Sequence, residues 1–566
     1  KAIPRRQIEH TKNRNQDRLE GEIHSNSRDV QITGQVISLG KSPIKIKSLQ
    51  QLLKSYPNER AARFLESGFT EGFCLNYTGP RMPVDLPNLK SAENNKDITQ
   101  EKIRKEIKLG RYIGPFESRP LKNLRTNPIG LVPKKSPGDY RLINHLSYPP
   151  GYSVNDFIAD EHCKVEYTRF DTAVEMVAEA GMGADLAKED IKSAFRLLPM
   201  HPKDFEVLGV KFEGKYYLDK CLPMGVRCAP AYFETFSTFI EYCVRERSGS
   251  NGIIHYVDDF LCVSSIEHGG VSCLEMVQVL KGICEELGVP LAAEKSEGPT
   301  KRLTFLGLEL DSVLMQVRVP HDKLTEVRRK IKKVLSHKYV TVKEIQSVIG
   351  SLNFISRAVR PGRAFLRRLI DLIKGEKTSS KPLSISEGAQ LDLRAWLEFI
   401  EYYNGVTVIT QERWVNSREM SLYTDASGAI GFGGYFGGKW FNGKWSSREI
   451  ITGTSIAWKE MVPIVLAVSI WGDELKNKKV VVYTDNMSVM YAINKQTSSC
   501  TKIMALVRSF VLVCLRQNIL FKAVHVHTYD NGIADSLSRF QMYRFRKLAP
   551  LAEERASLIP PGILQT

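Results

Sequence analysis

Apolar and polar positions alternate along this chain in two distinguishable ways, one marking strands and the other helices. Short apolar runs broken by turn residues predict hairpins. The stretch Asn127-Pro-Ile-Gly-Leu-Val-Pro-Lys134-Lys135 meets Ser-Pro-Gly-Asp and then Tyr140-Arg141-Leu-Ile-Asn144, so a strand stands on either side of strong turn chemistry. A second hairpin is predicted where Ile253-Ile254-His255-Tyr256-Val257 and Phe260-Leu261-Cys262-Val263 flank Asp258 and Asp259. Neighbouring side chains on a strand point to opposite faces, so both acids share a side only if the chain turns at them. Leu422-Tyr-Thr-Asp425 and Val480-Val-Val-Tyr-Thr-Asp485 are strands that each end in an acid. The glycine-rich Gly431 to Trp440 lacks a following Lys-Ser/Thr and reads as a hairpin rather than a phosphate loop.

Helical spacing predicts short helices within Ser48 to Phe73 and a helix from Asp97, its cap, to Leu109, ended by Gly110. A longer helix runs from Ala229 to Val244, with Tyr232, Phe233, Phe236 and Phe239 as its core stripe. Val317 to Lys338 and Thr341 to Ile373 are helical runs, followed by Glu387 to Tyr403, Thr454 to Trp471, Asn486 to Asn494 and a last helix around Gly532 to Arg539. Residues 1–45, polar and without period, read as a flexible lead-in, and Leu75 to Asn95 as irregular.

Composition narrows the class. A chain of 566 residues exceeds what one core holds, so two to four domains are expected. Hydrophobic content of 42% and charged content of 25% exclude a disordered chain. The formal charge of +17 implies a polyanionic partner, either nucleic acid or an acidic membrane surface. No apolar run reaches the ~20 residues that cross a bilayer, and no secretory signal opens the chain. It starts at Lys1 without Met, as an excerpt of something longer would. Ten cysteines without a Cys-x-x-Cys pair, several in apolar segments, argue for a reducing, intracellular setting in cytoplasm or nucleus and against structural zinc.

The charge clusters after residue 317. Lys323, Arg328, Arg329, Lys330, Lys332 and Lys333 share a helix with apolar Leu324, Val327, Ile331, Val334 and Leu335, and Arg357, Arg360, Arg363, Arg367 and Arg368 follow. A solvated helix face is the plain reading of such a run. Phosphate contact, salt-dependent and indifferent to sequence, is the functional one.

Two carboxylates at one turn repel, and a divalent cation is the usual remedy. Their surroundings carry a resemblance. Asp190-x-x-x-Ala-Phe195, Leu222-Pro-Met224-Gly225 and Tyr256-Val-Asp258-Asp259, in that order, resemble the palm motifs of reverse transcriptases. Lys295 followed by Phe305-Leu306-Gly307 resembles the next two palm segments. The resemblance implies a right-hand polymerase with fingers, an antiparallel palm sheet backed by helices, and a helical thumb in the basic region. It implies two Mg²⁺ ions, with Mn²⁺ able to substitute, on Asp190, Asp258 and Asp259. Lys134 and Arg141 would grip a deoxynucleoside triphosphate, with Lys135 beside them, and Phe195 would reject a ribose 2′-hydroxyl. Met224 and Gly225 would face the nucleotide; many retroviral enzymes carry a polar residue where Met224 stands. Lys295 would donate a proton to pyrophosphate, and Phe305 to Gly307 would meet the primer end. Asp185 and Glu189 read as surface charges. The chemistry agrees, because one ion activates the attacking hydroxyl and another, ~3.5–4 Å away, neutralises the leaving group.

Further on, strand acid, helix acid, strand acid and helix acid resemble the ribonuclease H fold, an α/β domain with Asp425, Glu460, Asp485 and Asp535 as metal ligands. Many members carry a mobile His before the last acid; here Tyr529 takes that place, and His525 and His527 lie on the preceding strand. The resemblance covers about residues 100–545. The segments Pro361-Gly-Arg-Ala-Phe-Leu-Arg-Arg-Leu-Ile370 and Asn76-Tyr-Thr-Gly-Pro-Arg81 look like the DIRS-type retrotransposons in particular. Expected domains are an N-terminal extension 1–95, fingers and palm 96–316, thumb 317–374, a linker 375–417, a ribonuclease H-like domain 418–545 and a tail 546–566. RNA template, DNA primer and RNA/DNA hybrid are the implied partners. An inactive nucleic-acid-binding protein and an RNA-synthesising polymerase are the alternatives; the full set of carboxylates speaks against the first, Phe195 and the appended nuclease against the second.

Overall fold

The computed structural model describes residues 31–32, 35–134, 138–264, 270–376, 378–403, 406–408, 415–416, 422–446, 452–476, 478–484, 486–517, 519–525 and 531–560. The chain divides into two compact units, Lys1–Phe305 and Leu306–Thr566.

In the first unit, helices α1 (Ile46–Leu53), α2 (Glu59–Glu71) and α3 (Lys96–Lys108) lie in the N-terminal part. The predicted cap at Asp97 is displaced. Asn95 takes the cap position, its amide spent on Ser91 O at 2.9 Å, and Asp97 lies in the first turn. From Ile37 onward the supposed lead-in joins the core: Ile37 and Ile44 are buried in one cluster with Leu49, Leu53, Leu65, Phe69 and Phe73 of the expected short helices and with residues further along the unit. Ser42 Oγ donates to Leu197 O at 2.6 Å, and Lys220 Nζ donates to Leu39 O at 3.2 Å. A polar, aperiodic segment can still be anchored by its backbone carbonyls, which composition does not display.

Strands β1 (Ile129–Pro133) and β2 (Tyr140–Asn144) form the predicted basic hairpin. A four-stranded antiparallel sheet holds β3 (Asp185–Asp190), β5 (Ile253–Tyr256), β6 (Asp259–Ser264) and β7 (Glu297–Thr300) in the order β5-β6-β3-β7; β4 (Lys215–Asp219) belongs to a separate five-stranded sheet. Helices α4 (Phe170–Ala180), α5 (Ala229–Ser248) and α6 (Cys273–Leu287) pack on the four-stranded sheet. The aromatic stripe of α5 is core as expected, with Tyr232, Phe233, Phe236 and Phe239 all buried. Glu189 departs from expectation. It is buried rather than exposed, pairing with Lys281 at 3.0 Å and accepting from Ser296 Oγ at 2.5 Å.

In the second unit, helix α7 (His321–Ser336) buries Leu324, Val327, Ile331 and Val334. Its basic face is weaker than its residue count suggests. Arg328 pairs with Glu401, Lys330 with Glu326 and Lys333 with Glu344, at 3.5, 2.8 and 2.8 Å. The run expected over 341–373 is broken: α8 (Val342–Ile355) stops, a 3₁₀ turn spans Arg360–Phe365, and a short helix covers Arg367–Leu372. Pro361 and Gly362 account for the interruption. A Cβ on Gly362 would meet the buried Trp396 ring of α9 (Glu387–Tyr403) at 2.0 Å.

Strands β8 (Leu422–Ala426), β9 (Gly431–Phe436) and β10 (Lys439–Lys444) form an antiparallel sheet. Strands β11 (Lys479–Thr484) and β12 (Leu520–His525) run parallel in another sheet. Helix α10 (Ile456–Leu475), capped by Ser455, and helix α11 (Gly532–Ser538) pack on β8.

One buried cluster ties the first unit together. Arg196 donates to both Asp219 oxygens at 2.9 Å, to Glu106 at 2.8 Å and to Cys221 O at 2.9 Å, while Asn144 Nδ2 donates to Asp219 at 3.2 Å. Burial lifts the Asp219 carboxyl to about 6 even with Arg196 opposing. Replacing Arg196 by Met strands two carboxylates, so a loss of about 3–5 kcal/mol is expected, read as a lower urea midpoint. An unchanged midpoint would show that water reaches them.

Candidate active site

Asp190, Asp258 and Asp259 converge through strand register. Strand β3 ends at Asp190, whose Cα partner across the sheet is Asp259, the first residue of β6. Tyr256 pairs with Asp259, which leaves Val257 and Asp258 as a two-residue turn. Asp258 O accepts from Ile191 N at 3.0 Å, tying the turn to the chain just past Asp190. Val257 sits at φ 56°, a left-handed conformation that β-branched residues avoid. Such a residue costs on the order of 1–3 kcal/mol and persists only where its surroundings hold it.

The charges are crowded. Both Asp190 oxygens accept from Lys295 Nζ, at 2.8 and 2.9 Å. Burial first, then the Asp190 carboxylate, pushes Asp259 up to about 7. Burial and Asp190 also raise Asp258, against the pull of Lys295 and Arg141. Among the described residues no three His, Cys, Asp or Glu side chains are arranged, as they stand, to hold a metal ion. The donor chemistry does fit a divalent cation: hard carboxylate oxygens, two of the three acids driven toward the neutral form by burial and then by the neighbouring Asp190 charge, which a cation would offset.

The other predicted residues fall in different places. Arg141 is exposed on β2, and its charge acts on Asp258, lowering it against burial. Lys134 is engaged elsewhere, 2.7 Å from Asp139, whose carboxyl is held down at about 2 by Lys134 and Lys102. Lys135 and the turn after it, 135–137, lie outside the described residues. Phe195 is on the 3₁₀ turn Ala194–Leu197, its ring 5.9 Å from that of Phe233. Met224 is half-buried, and its carbonyl accepts from Asn144 N at 3.3 Å. Gly225 has φ 118°, and a Cβ there would stand 2.1 Å from Asn144 O.

Two groups escaped the sequence reading. Asn155 holds the loop around Gly225 from both sides, Nδ2 donating to Gly225 O at 2.8 Å and Oδ1 accepting from Arg227 N at 3.0 Å. Val154-Asn155-Asp156 offers no pattern that marks this. The second group is Glu234, Ser237, Glu241 and Arg245 on α5, which reach β5 and the acid turn. Their spacing of three, four and four residues was legible as a polar stripe opposed to the aromatic one.

The C-terminal acids are gathered only in part. Asp425, on β8, accepts from Ser538 Oγ at 2.6 Å. Asp535, on α11, is bound by Arg539 Nε and Arg544 Nη1, each at 2.7 Å. Burial would raise the Asp535 carboxyl, but these two guanidiniums outweigh it and hold it below the usual range. Ser538 Oγ also donates to Asp535 O at 3.0 Å, so one hydroxyl links the Asp425 carboxylate to the Asp535 backbone. Glu460, half-buried on α10, lies on the helix that packs against β8. Asp485, His527 and Tyr529 lie outside the described residues, and His525 is on β12 opposite Thr484.

Residues 132–310 match the family model "Reverse transcriptase (RNA-dependent DNA polymerase)", and that segment is a reverse transcriptase domain of the retroviral and hepadnaviral polymerase type. The chain is similar to the Gag-Pro-Pol polyprotein of Simian retrovirus SRV-2, 24% identical over 383 residues, which are 64% of this chain and 20% of that protein. It is also similar to Protein P of Duck hepatitis B virus (strain China), 28% identical over 171 residues, 29% of this chain and 20% of that one. The chain thus spans about a fifth of the length of these curated relatives. A solved structure of the foamy viral protease-reverse transcriptase with dsDNA aligns over 87% of this chain and 99% of that one, at 17% identity and a TM-score of 0.46.

Gly225→Ala puts a Cβ into Asn144 O at a φ closed to alanine. The expected cost exceeds ~1 kcal/mol, which corresponds to amide exchange across 222–228 faster by about fivefold or more. Unaltered exchange would mean the loop relaxes at no cost.

Proposed function

We propose that this chain is the polymerase and nuclease segment of a retrotransposon, of DIRS type, that copies RNA into DNA and degrades the RNA strand of the resulting hybrid. The observation that carries the polymerase half is the register that sets Asp190 opposite Asp259 with Asp258 at the adjoining turn. The match of residues 132–310 supports the same reading.

In this reading Asp190, Asp258 and Asp259 hold Mg²⁺, which when bound lowers the pKa of the primer 3′-hydroxyl and neutralises departing pyrophosphate. Arg141 binds the triphosphate of an incoming deoxynucleotide, and Lys134 joins it once released from Asp139. Phe195, braced on Phe233, excludes a 2′-hydroxyl by bulk. Lys295 balances Asp190 before the cation arrives and holds a proton beside the leaving group afterwards. Arg329 and Lys332, on the solvent side of α7, contact backbone phosphates of the hybrid.

For the nuclease half, Asp425, Glu460, Asp485 and Asp535 are the proposed Mg²⁺ ligands, and the ions supply a hydroxide nucleophile and steady the leaving 3′-oxygen. The link from Asp425 through Ser538 to the Asp535 backbone supports this half. Ten unpaired cysteines suit an intracellular setting in cytoplasm or nucleus.

Extension of a DNA primer on RNA with Mg²⁺, with the template followed in the same tube, tests both halves. Asp258→Asn is expected to lower extension at least ~10²-fold while hybrid binding stays near normal. Asp425→Asn is expected to abolish hybrid cleavage and spare synthesis. Joint loss of both activities in either variant would refute two separate sites.

A further inference from the structure

Behind the acid turn lies a charged network that nucleotide addition as described does not use. Helix α5 presents Glu234, Ser237, Glu241 and Arg245 along one face, and strand β5 runs past it in the opposite sense. Arg245 Nη2 donates to Ile253 O at 2.8 Å, at the start of the strand. One turn back, Glu241 binds His255 Nδ1 through one oxygen and Arg245, at 2.7 Å, through the other. At the end of the strand Glu234 accepts from the Val257 N–H at 3.2 Å with one oxygen and stands 3.1 Å from His255 Nε2 with the other, an ion pair without hydrogen-bond geometry. Ser237 Oγ donates to Val257 O at 2.5 Å. The match is geometric: a helical turn advances ~5.4 Å and two strand residues ~6.6 Å, so alternate strand positions meet successive turns.

The network is enclosed except at Arg245, which is partly exposed. Glu234, Ser237, Glu241 and His255 are 8%, 0%, 2% and 3% exposed. Burial disfavours a charged imidazole, but Glu241 and Glu234 outweigh it and raise His255 to about 9, so the ring is cationic at neutral pH. Phe260 stacks on that ring, centroids 5.5 Å apart. A buried run of charges is an expensive way to fill a core, and apolar residues of like volume would serve stability as well or better. What apolar residues do not offer is an acceptor and a donor aimed at the two backbone ends, N–H and C=O, of one residue in a strained conformation. Those ends belong to Val257, the residue before Asp258.

We propose that Glu234, His255 and Glu241 form a buried positioning chain that holds the Val257 peptide in its left-handed conformation and thereby sets where the Asp258 carboxylate stands. The inference rests on the polymerase reading for its consequence in activity, but not for its geometry. Glu234 is the contact residue, His255 fixes Glu234, and Glu241 with Arg245 fixes His255. None touches substrate; all act through the turn.

The test compares Glu234→Leu with Glu234→Gln in the full chain, the glutamine keeping an acceptor for the Val257 N–H. Primer extension gives kcat and the nucleotide KM, a labelled RNA/DNA hybrid gives Kd, and amide exchange is read across residues 256–259. For Glu234→Leu the expected result is kcat lower by about 10²-fold, as sub-ångström misplacement produces, with hybrid Kd within twofold and faster exchange at the turn. Glu234→Gln is expected to recover both kcat and exchange to within a few fold of the parent. The proposal is overturned if Glu234→Leu matches the parent in exchange, or if both variants lose hybrid affinity and kcat alike, which marks a general stabilising role. A parent chain that fails to extend primers sinks the polymerase reading alone, because the exchange comparison still decides whether Glu234 holds the turn.

Discussion

Like charges that must stand together are the constraint around which the first unit is built. Asp190 and Asp259 meet at one register position of the sheet and Asp258 stands at the adjoining turn, two of the three with carboxyls displaced toward neutrality. A protein places acids so only by supplying compensation. In front, Lys295 takes both oxygens of Asp190. From the basic hairpin, Arg141 adds its field at Asp258. Behind, the α5 stripe grips the turn by backbone groups, which anchors it without spending the carboxylates themselves. Those carboxylates stay available to a cation.

The same economy governs the surroundings. Buried ion clusters appear where distant segments must hold one mutual placement: Arg196 with Asp219 and Glu106 in the first unit, and Asp392 with Arg368 and Arg508 in the second. Such clusters add little net stability, since desolvation offsets their attraction, yet they penalise any arrangement that separates the partners. Asp219 illustrates the gain. By binding Arg196, one residue past Phe195, and Asn144, at the end of β2, it relates the proposed gate to the hairpin that carries Arg141. Asn144 in turn accepts no side chain at Gly225. Nucleotide-facing parts drawn from residues 141 to 225 are therefore registered against one another by polar contacts, and the apolar core is left to supply the driving force for folding.

Periodicity carried most of the local structure. Both hairpins, the aromatic stripe of α5 and the apolar stripe of α7 follow from spacing two or spacing three-and-four, because burial of one face is a local property of the chain. Where readings failed, a non-local partner had won. Asp97 yields its cap position to Asn95, Glu189 is drawn inward by Lys281 and Ser296, and the segment from Ile37 is held by carbonyls of residues far along the chain. The basic face of α7 was overcounted, since its carboxylate partners include Glu344 and Glu401 from other helices.

By its residues alone the chain determined that two acids would sit at a hairpin tip, that Asp190 stood five residues before Phe195, and that strongly basic helices would follow. Those are statements about neighbours in sequence, where turn chemistry and side-chain alternation suffice. Tertiary structure alone decided that Asp190 stands across from Asp259, that Lys295 rather than Lys134 is the ammonium at the acids, and that His255 is a cation between two glutamates. Each depends on register and on burial. Register is set by packing of whole strands against helices, and burial changes the cost of a charge by more than any neighbour in sequence does.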